Sequence, residues 1–288
     1  MRMDDVRESS NVEDRRRASP GLMVGGGLGG LVIVLLVTLL GGDPSKVGSI
    51  LNQGGGGASG AQRPLNPAEE ALVPFVKKVL ASTEDVWGRL LPQQAGRPYA
   101  VPKLVMFSGQ VQTACGGATA AVGPFYCPGD KQVYIDLSFY ELMRTRLKAG
   151  GDFAQAYVIA HEVGHHIQNI LGASDRVHEA RSRVSEVEYN RLSVRLELQA
   201  DFYAGVWAYH AKDTIHLDMG DLEEALNAAH QIGDDTLQKQ ARGTVVPDSF
   251  THGSAAQRMA WFKRGFDTGD VRKGDTFDDA TFNAVAPR

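Results

Sequence analysis

Residues 156–171, AYVIAHEVGHHIQNIL, place three histidines and a glutamate in an otherwise apolar stretch. The apolar residues recur at helical rather than strand spacing, so the polar side chains share one helix. His161 and His165 lie four residues apart and stack on one face, where both imidazoles can reach the same metal ion. Glu162 lies roughly 100° around the helix from His161. This is the HExxH arrangement, in which the histidines bind zinc and the glutamate acts as the general base.

The same pattern also arises by chance in amphipathic helices that bind no metal. Here the neighbouring residues are apolar, and burying such polar groups without a partner is costly. That cost favours a metal site over an ordinary amphipathic helix. The adjacent His166 points roughly 100° away from His165, so we interpret it as a residue that supports the site or lies at the surface.

A catalytic zinc needs a third protein ligand. The metzincin pattern is excluded, because its glycine and third histidine positions hold Gln168 and Leu171. His178 has a spacing that matches no zincin pattern. The remaining route is a glutamate from a later helix, followed one turn on by a carboxylate that accepts a histidine N–H. Among the downstream glutamates only Glu197 has an aspartate four residues later, Asp201, although a surface acidic pair is the alternative.

These motifs resemble a known family. HEVGHH followed by RLELQADFYAGVWA, with an N-terminal RESSNVEDRR, an apolar run and a glycine-rich spacer, is similar to the neutral zinc metallopeptidases of bacterial membranes. The resemblance covers essentially the whole chain. It implies a gluzincin-like catalytic domain with three zinc ligands, His161, His165 and Glu197, and with Glu162 as the catalytic base.

A further segment, DSFTHGSAAQR at residues 248–258, resembles a Ser-x-His-Pro-x-x-x-x-Arg segment of some membrane gluzincins. Gly253 stands where that pattern has proline. An imidazole at His252 could stabilise an oxyanion, which makes it a second candidate catalytic residue. Arg258 could pair with a carboxylate such as Asp201. The alternative is a helix-capping loop with a solvated histidine.

The remaining histidines have no patterned partners: His178, His210, His216 and His230.

The first third of the chain predicts a membrane anchor. Residues 21–42 carry no charge and include LGGLVIVLLVTLL, long enough to span a bilayer core of about 30 Å as a helix. A cleaved signal peptide or a buried core helix are the alternatives, but the polar segment before the apolar run is longer than a signal peptide requires. We therefore predict a cytoplasmic segment at 1–20, a transmembrane helix at 21–42, a glycine-rich linker at 43–63 and a zinc metallopeptidase domain at 64–288.

The arginines predict the orientation of that anchor. Only Lys46 follows the apolar run within twenty residues, whereas five arginines precede it: Arg2, Arg7, Arg15, Arg16 and Arg17. Because positive charge stays in the cytoplasm, the catalytic domain is expected in the periplasm or outside the cell.

The two cysteines, Cys115 and Cys127, fit this placement. An even pair on a short glycine-rich stretch predicts a disulfide in an oxidising compartment, with a zinc-binding pair as the alternative. The net charge of −4 gives no basic surface for nucleic acid.

The order of periodic segments predicts an α+β fold, zincin-like and mostly helical, with a small β-sheet. Strands are expected within 102–109 and 131–139, and residues 66–93 read as a helix in two pieces, the second capped by Ser82 or Thr83. A helix is predicted at 138–148, and everything from residue 152 onward reads as helical. Residues 132–136 are a candidate for binding an extended peptide by strand addition, or else form an ordinary interior strand.

Together these features predict a membrane-anchored enzyme that hydrolyses peptide bonds of peptide or protein substrates with a Zn²⁺-activated water. A different amide hydrolase is the first rival. The second is a tethered binding protein built on an inactive zincin domain, against which an intact Glu162 argues.

Overall fold

The structure is a computed structural model, and it describes residues 1–17, 66–218 and 220–285. The predicted transmembrane helix at 21–42 and linker at 43–63 lie outside the described residues. Within the described parts, no helix combines the length and hydropathy that crossing a membrane would require.

The described chain is mostly helical and carries two small sheets, so the predicted α+β class is confirmed. The strands are β1 (Val12–Asp14), β2 (Lys103–Phe107), β3 (Gln110–Thr113), β4 (Gly116–Thr119), β5 (Phe125–Cys127) and β6 (Gln132–Asp136). The helices are α1 (Pro67–Leu90), α2 (Ser138–Thr145), α3 (Asp152–Leu171), α4 (Ala173–Ala180), α5 (Glu186–Ala211), α6 (Asp221–Gln231), α7 (Asp234–Arg242), α8 (Ala255–Thr268) and α9 (Asp279–Val285).

The larger sheet has the strand order β1-β2-β6-β5. β1 and β6 both run parallel to β2, whereas β5 runs antiparallel to β6 and forms one edge. β3 and β4 make a separate antiparallel hairpin. The predicted strands at 102–109 and 131–139 are confirmed. Residues 132–136 form the interior strand that was the alternative to a peptide-binding strand: β6 pairs with β2 along its whole length, and with β5 through Gln132, Val133 and Tyr134.

Three helices form the centre of the molecule, where α3 and α8 both pack on α5. Glycines allow the close approach at each crossing. A Cβ at Gly164 of α3 would lie 2.8 Å from the carbonyl oxygen of Ala200 in α5. At the α5–α8 crossing, a Cβ at Gly205 or Gly265 would lie 2.0 Å from a carbonyl oxygen of the opposite helix. Larger side chains at these glycines would force the helices apart, and the polar residues on the helices would then separate as well.

α1 is one continuous helix and not the two pieces expected from the sequence. It begins at the cap Asn66, whose side chain accepts a hydrogen bond from the amide of Ala68, and it continues through Pro74. Ser82 and Thr83 are buried within it and do not act as caps. The Ser82 hydroxyl accepts a hydrogen bond from the indole of Trp207 in α5, so its polarity serves packing between helices.

The N-terminal segment is part of this folded body, whereas the sequence predicted a separate segment at 1–20. β1 extends the sheet beside β2, and Met3 and Val6 join the hydrophobic core. The amino group of Met1 forms ion pairs with Asp152 and Asp221 at 3.2 and 2.9 Å. This strand was not predicted because three residues are too few to show the alternation of apolar and polar residues that marks a strand.

The predicted disulfide is present and joins Cys115, in the turn between β3 and β4, to Cys127 in β5. It therefore ties the hairpin to the edge strand of the main sheet. We expect neither cysteine to react with thiol reagents until the disulfide is reduced, because the bond leaves no free thiol. Quantitative maleimide labelling of unfolded protein with and without reductant measures this, and free thiols before reduction would contradict it.

Candidate active site

The HExxH helix and the later acidic helix meet at one point. His161 and His165 lie on α3 and Glu197 lies on α5, and their ligand atoms all fall within 4.8 Å of one another. The Nε2 atom of His161 is 3.2 Å from one Glu197 carboxylate oxygen, and the Nε2 atom of His165 is 3.5 Å from the other. The structure thus brings together the three residues that the sequence predicted as metal ligands.

This donor set fits zinc. Two ligand atoms bound tetrahedrally to one zinc ion at about 2.0–2.1 Å lie roughly 3.3 Å apart, close to the observed separations. The two imidazoles present Nε2 to the shared point because their Nδ1 atoms bond elsewhere. Histidine, histidine and a carboxylate leave a fourth position open, as catalytic zinc sites do.

Asp201 holds the first histidine in place, as the sequence predicted. Its carboxylate lies 2.8 Å from the Nδ1 atom of His161 and also accepts a hydrogen bond from the hydroxyl of Tyr157. The expected partner Arg258 donates to both Asp201 oxygens, at 2.8 and 3.0 Å. All four side chains are buried. With the carboxylate on Nδ1, His161 carries its proton there and keeps the Nε2 lone pair for a metal.

The second histidine has a different support, which the sequence analysis missed. The Nδ1 atom of His165 lies 2.9 Å from the side-chain oxygen of Gln168. The Gln168 amide group in turn donates to the carbonyl of Leu196, which fixes which end of the amide faces the histidine. The only signal was the three-residue spacing on the same helix, which any surface glutamine could share.

Carboxylates and imidazoles shift one another's pKa values in the metal-free site. Burial lowers the pKa of His161, but Asp201 and Glu197 outweigh it and raise that pKa to about 10. Burial raises the pKa of Asp201, yet Arg258 and His161 bring it to about 2. Burial likewise opposes ionisation of Glu197, and His165 and His161 hold its pKa well below the usual range. His161 thus holds a proton at neutral pH when no metal is bound, and a metal must displace it.

Glu162 is buried beside the cluster without belonging to it. Its pKa is raised, chiefly by burial and against the pull of His165 and His161. A carboxylate with a raised pKa is better matched to accepting and returning a proton near neutral pH than an exposed one. Glu162 thus lines the same cleft as the three residues of the cluster.

His166 supports the edge strand instead of the metal point. Its Nε2 atom lies 2.6 Å from the carbonyl of Ala100 and its Nδ1 atom 2.9 Å from the hydroxyl of Tyr126 in β5. Since a carbonyl can only accept, Nε2 carries the proton and Nδ1 accepts from the tyrosine. Burial lowers the pKa of His166, which keeps this neutral form. The imidazole thus links the active-site helix to β5.

His252 lines the same cleft, beside a buried carboxylate that the sequence analysis did not identify. The Asp234 carboxylate lies 3.3 Å from the Nδ1 atom of His252 and accepts backbone N–H bonds from Thr251, His252 and Gly253. Gly253 has φ +92°, which proline cannot adopt, so the departure from the family pattern has a conformational cause. The loop forms because a buried aspartate ties its backbone together.

These groups open into a cleft of about 380 Å³. One wall is β5 with the residues around it, including Phe125 and Tyr126. The rest of the lining is largely apolar and includes Phe139, Leu147, Val158, Ile232 and Leu237. His178 also lines the cleft but does not join the three-residue cluster, and its side chain is exposed.

Comparison with known proteins agrees with this geometry. The chain matches the family model described as "Putative neutral zinc metallopeptidase" over residues 1–277. It is 48% identical over 284 residues to the uncharacterized protein YpfJ of Escherichia coli (strain K12), covering 96% of this chain and 99% of that protein. The uncharacterized protein Mb2605 of Mycobacterium bovis is 44% identical over 210 residues, or 69% of this chain and 68% of that one.

No solved structure matches the chain. The family match spans both the N-terminal strand and the helices that carry the cluster. The chain therefore belongs to the neutral zinc metallopeptidase family.

Proposed function

We propose that this protein is a membrane-anchored zinc metallopeptidase that hydrolyses internal peptide bonds. One observation carries the proposal: two imidazoles and a carboxylate from separate helices converge on one point, with a buried glutamate beside them. His161, His165 and Glu197 would hold the zinc, and Asp201 and Gln168 would orient the imidazoles. A zinc ion held there lowers the pKa of its water to about 7 and polarises a substrate carbonyl.

Glu162 is the proton carrier in this proposal. As a carboxylate it accepts a proton from the attacking water, and it then delivers that proton to the amine that leaves when the peptide bond breaks. It is not required as a ligand, because the three other side chains already surround the metal point. Burial keeps bulk water from competing for its proton.

His252 is proposed to stabilise the oxyanion that develops on the scissile carbonyl. Its Nδ1 atom faces Asp234 and Thr251, which leaves Nε2 as the ring nitrogen available to the substrate. Burial lowers the pKa of His252, but Asp234 and Glu197 raise it overall. The ring therefore favours the form that donates from Nε2. Asp234 acts as a positioning residue, since it touches the histidine and its loop.

We expect His252→Ala to lower kcat by about 10²–10³-fold, the usual cost of losing one oxyanion donor, while zinc content stays unchanged. Steady-state kinetics on a quenched peptide and metal analysis of the same preparations measure both effects. His178→Ala is the matched control, because that histidine lines the cleft but is exposed and outside the cluster. Equal loss of kcat in both variants would remove His252 from the mechanism.

The cleft favours an extended peptide with a bulky apolar side chain near the scissile bond. β5 is an edge strand, so its outer backbone groups can pair with a substrate strand, and the apolar lining can receive a side chain. Among the described residues that line the cleft, Arg258 is bound to Asp201, and the carboxylates are Glu162 and Glu197 of the site itself. Apart from the histidines, the described lining thus offers no charged side chain outside the site itself to bind a peptide terminus, which favours endopeptidase activity.

Peptides blocked at both ends and varied around an apolar residue test this substrate class. Cleavage within such peptides, with activity rising with the size of the apolar residue, is the expected outcome. Activity that needs a free amino or carboxyl terminus would refute the endopeptidase assignment.

We further propose that the catalytic domain acts in the periplasm or outside the cell. The Cys115–Cys127 disulfide supports an oxidising compartment, and the uncharged run at 21–42 supports attachment to the membrane. Fractionation of cells producing the full chain tests the attachment: the protein should remain with membranes after a salt wash and be released by detergent. Digestion of the domain by a protease added to intact spheroplasts tests the compartment.

A further inference from the structure

The N-terminal residues and the catalytic domain are bound to each other by the main sheet. Val12, Glu13 and Asp14 of β1 pair in parallel with Leu104, Val105 and Met106 of β2. The amide of Leu104 also donates to the carbonyl of Asn11, and the amide of Arg15 to the carbonyl of Met106, which extends the pairing at both ends. A strand held in this way cannot lie across a bilayer from its partner.

A buried carboxylate of the domain depends on the N-terminal segment for its partners. Glu84 of α1 is 7% exposed. It accepts hydrogen bonds from Arg7, Ser9 and Asn11, at 2.8, 2.5 and 2.9 Å. Removing these donors would leave a buried carboxylate without compensation, which is strongly unfavourable. The contact is therefore part of what makes the domain stable.

The residues on either side of the stretch 18–65 also contact each other. Arg16, with 1% of its side chain exposed, forms a 2.6 Å ion pair with Glu70 in the first turn of α1. Residue 17 follows Arg16 in the chain, and residue 66 lies one helical turn before Glu70. Residues 17 and 66 are therefore close to each other. A single crossing would hold them on opposite faces of a hydrocarbon core about 30 Å thick.

From these contacts we infer that residues 1–17 and the catalytic domain lie on the same side of the membrane. Whatever path residues 18–65 take, that path starts and ends at one place on the domain surface. This differs from the orientation predicted from sequence, with the N-terminus in the cytoplasm and the domain outside. The inference does not depend on catalysis, since no residue of the zinc cluster carries it.

The arginines that predicted the opposite orientation have another role in the fold. Arg7 pairs with Glu84 and Asp85. Arg15 pairs with Glu13, and Arg16 pairs with Asp14 and Glu70. Arg7 and Arg16 thus pair with residues of the domain, and Arg15 pairs within the N-terminal segment. These three arginines have a structural role in the fold apart from the orientation that their number predicts.

Single introduced cysteines test the inference. Glu8→Cys reports on the N-terminal segment and Glu141→Cys on the catalytic domain; the two side chains are 45% and 62% exposed. Each full-length variant is labelled with a membrane-impermeant maleimide, in intact spheroplasts and after permeabilisation. We expect both cysteines to label in the same condition. Labelling of one before and the other only after permeabilisation would overturn the inference.

The condition in which they label separates this inference from the proposed compartment. Labelling of both in intact spheroplasts agrees with an exported domain as well. Labelling of both only after permeabilisation upholds the shared side while rejecting the exported placement.

A cross-link supplies an independent measurement. The side chains of Glu8 and Lys77 form an exposed ion pair at 3.1 Å, and the backbone amide of Ser9 donates to the carbonyl of Lys77. The two backbones are therefore close, and Glu8→Cys with Lys77→Cys should form a disulfide on oxidation in native membranes. After cleavage at a protease site inserted between residues 53 and 60, a denaturing gel without reductant should show the N-terminal piece still joined to the domain, and reduction should free it. The single variant Glu8→Cys is the control and should release the piece. Release from the double variant without reduction would contradict the inference.

Discussion

Replacing Glu162 by glutamine should remove peptide cleavage and leave the protein otherwise intact. The amide is nearly isosteric with the carboxylate, so the buried position keeps its packing, but glutamine cannot accept a proton from water at neutral pH. Loss of a general base costs about 10²–10⁴-fold in rate. Zinc content should stay at the wild-type level because the residue lies outside the ligand cluster. Burial already disfavours the charged form of Glu162, as its raised pKa indicates. An uncharged amide at this position should therefore change the melting temperature little.

Cleavage of a quenched apolar peptide, zinc analysis and a thermal melt on one preparation test all three expectations. Glu188→Gln is the control, since that glutamate is exposed at the start of α5. Equal cleavage by wild type and Glu162→Gln would reject the mechanism. Absence of cleavage by either protein over a broad peptide library would favour a tethered binding protein, and turnover of other amides alone would favour a different amide hydrolase.

Much of the site was predictable because it depends on helical spacing. His161, Glu162 and His165 follow from one helical turn, and Glu197 with Asp201 from a second. The pairing of Arg258 with Asp201 was predicted from its segment and is confirmed at 2.8 Å. In each case the chemistry requires particular residue types at fixed intervals, so local sequence is sufficient.

The contacts that were missed reach across the fold. Asp234 supports a histidine 18 residues later, and His166 links α3 to Ala100 and Tyr126. Nothing in the local pattern at these positions differs from an ordinary polar residue at a helix start or a histidine on a helix. Their function depends on which elements meet, and that depends on packing of the whole chain.

The sheet shows the same limit. The strands β2 and β6 are buried, β-rich segments and were expected, whereas β1 and β5 span three residues each and were not. The short strand β5 forms the edge of the sheet. Because β5 pairs with β6, the strand that was expected to bind peptide lies inside the sheet. The short strand β1 joins the N-terminus to the domain. Two strands with too few residues to show periodicity therefore underlie both the proposed substrate wall and the inferred membrane topology.

Replacing Glu197 by alanine should cost zinc affinity more than any change outside the ligand set. Residues that only orient a ligand, such as Asp201, typically contribute 10–100-fold to metal affinity. Glu197 would supply a charged ligand directly, so we expect a loss beyond that range. The variant also removes a carboxylate that raises the pKa values of both imidazoles, together with Asp201 in the case of His161, so both pKa values should fall.

Competition with a zinc chelator at fixed pH measures the affinity, and metal analysis after dialysis checks it. Glu188→Ala on the same helix is the matched control, because it removes half of the capping box with Ser185 and no ligand. It should retain zinc even if the helix start is weakened. Unchanged zinc binding in Glu197→Ala would show that Glu197 is not the third ligand. His178, which lines the same cleft, would then be the residue to replace next, since a zinc site with only two protein ligands falls short of the three that catalytic sites use.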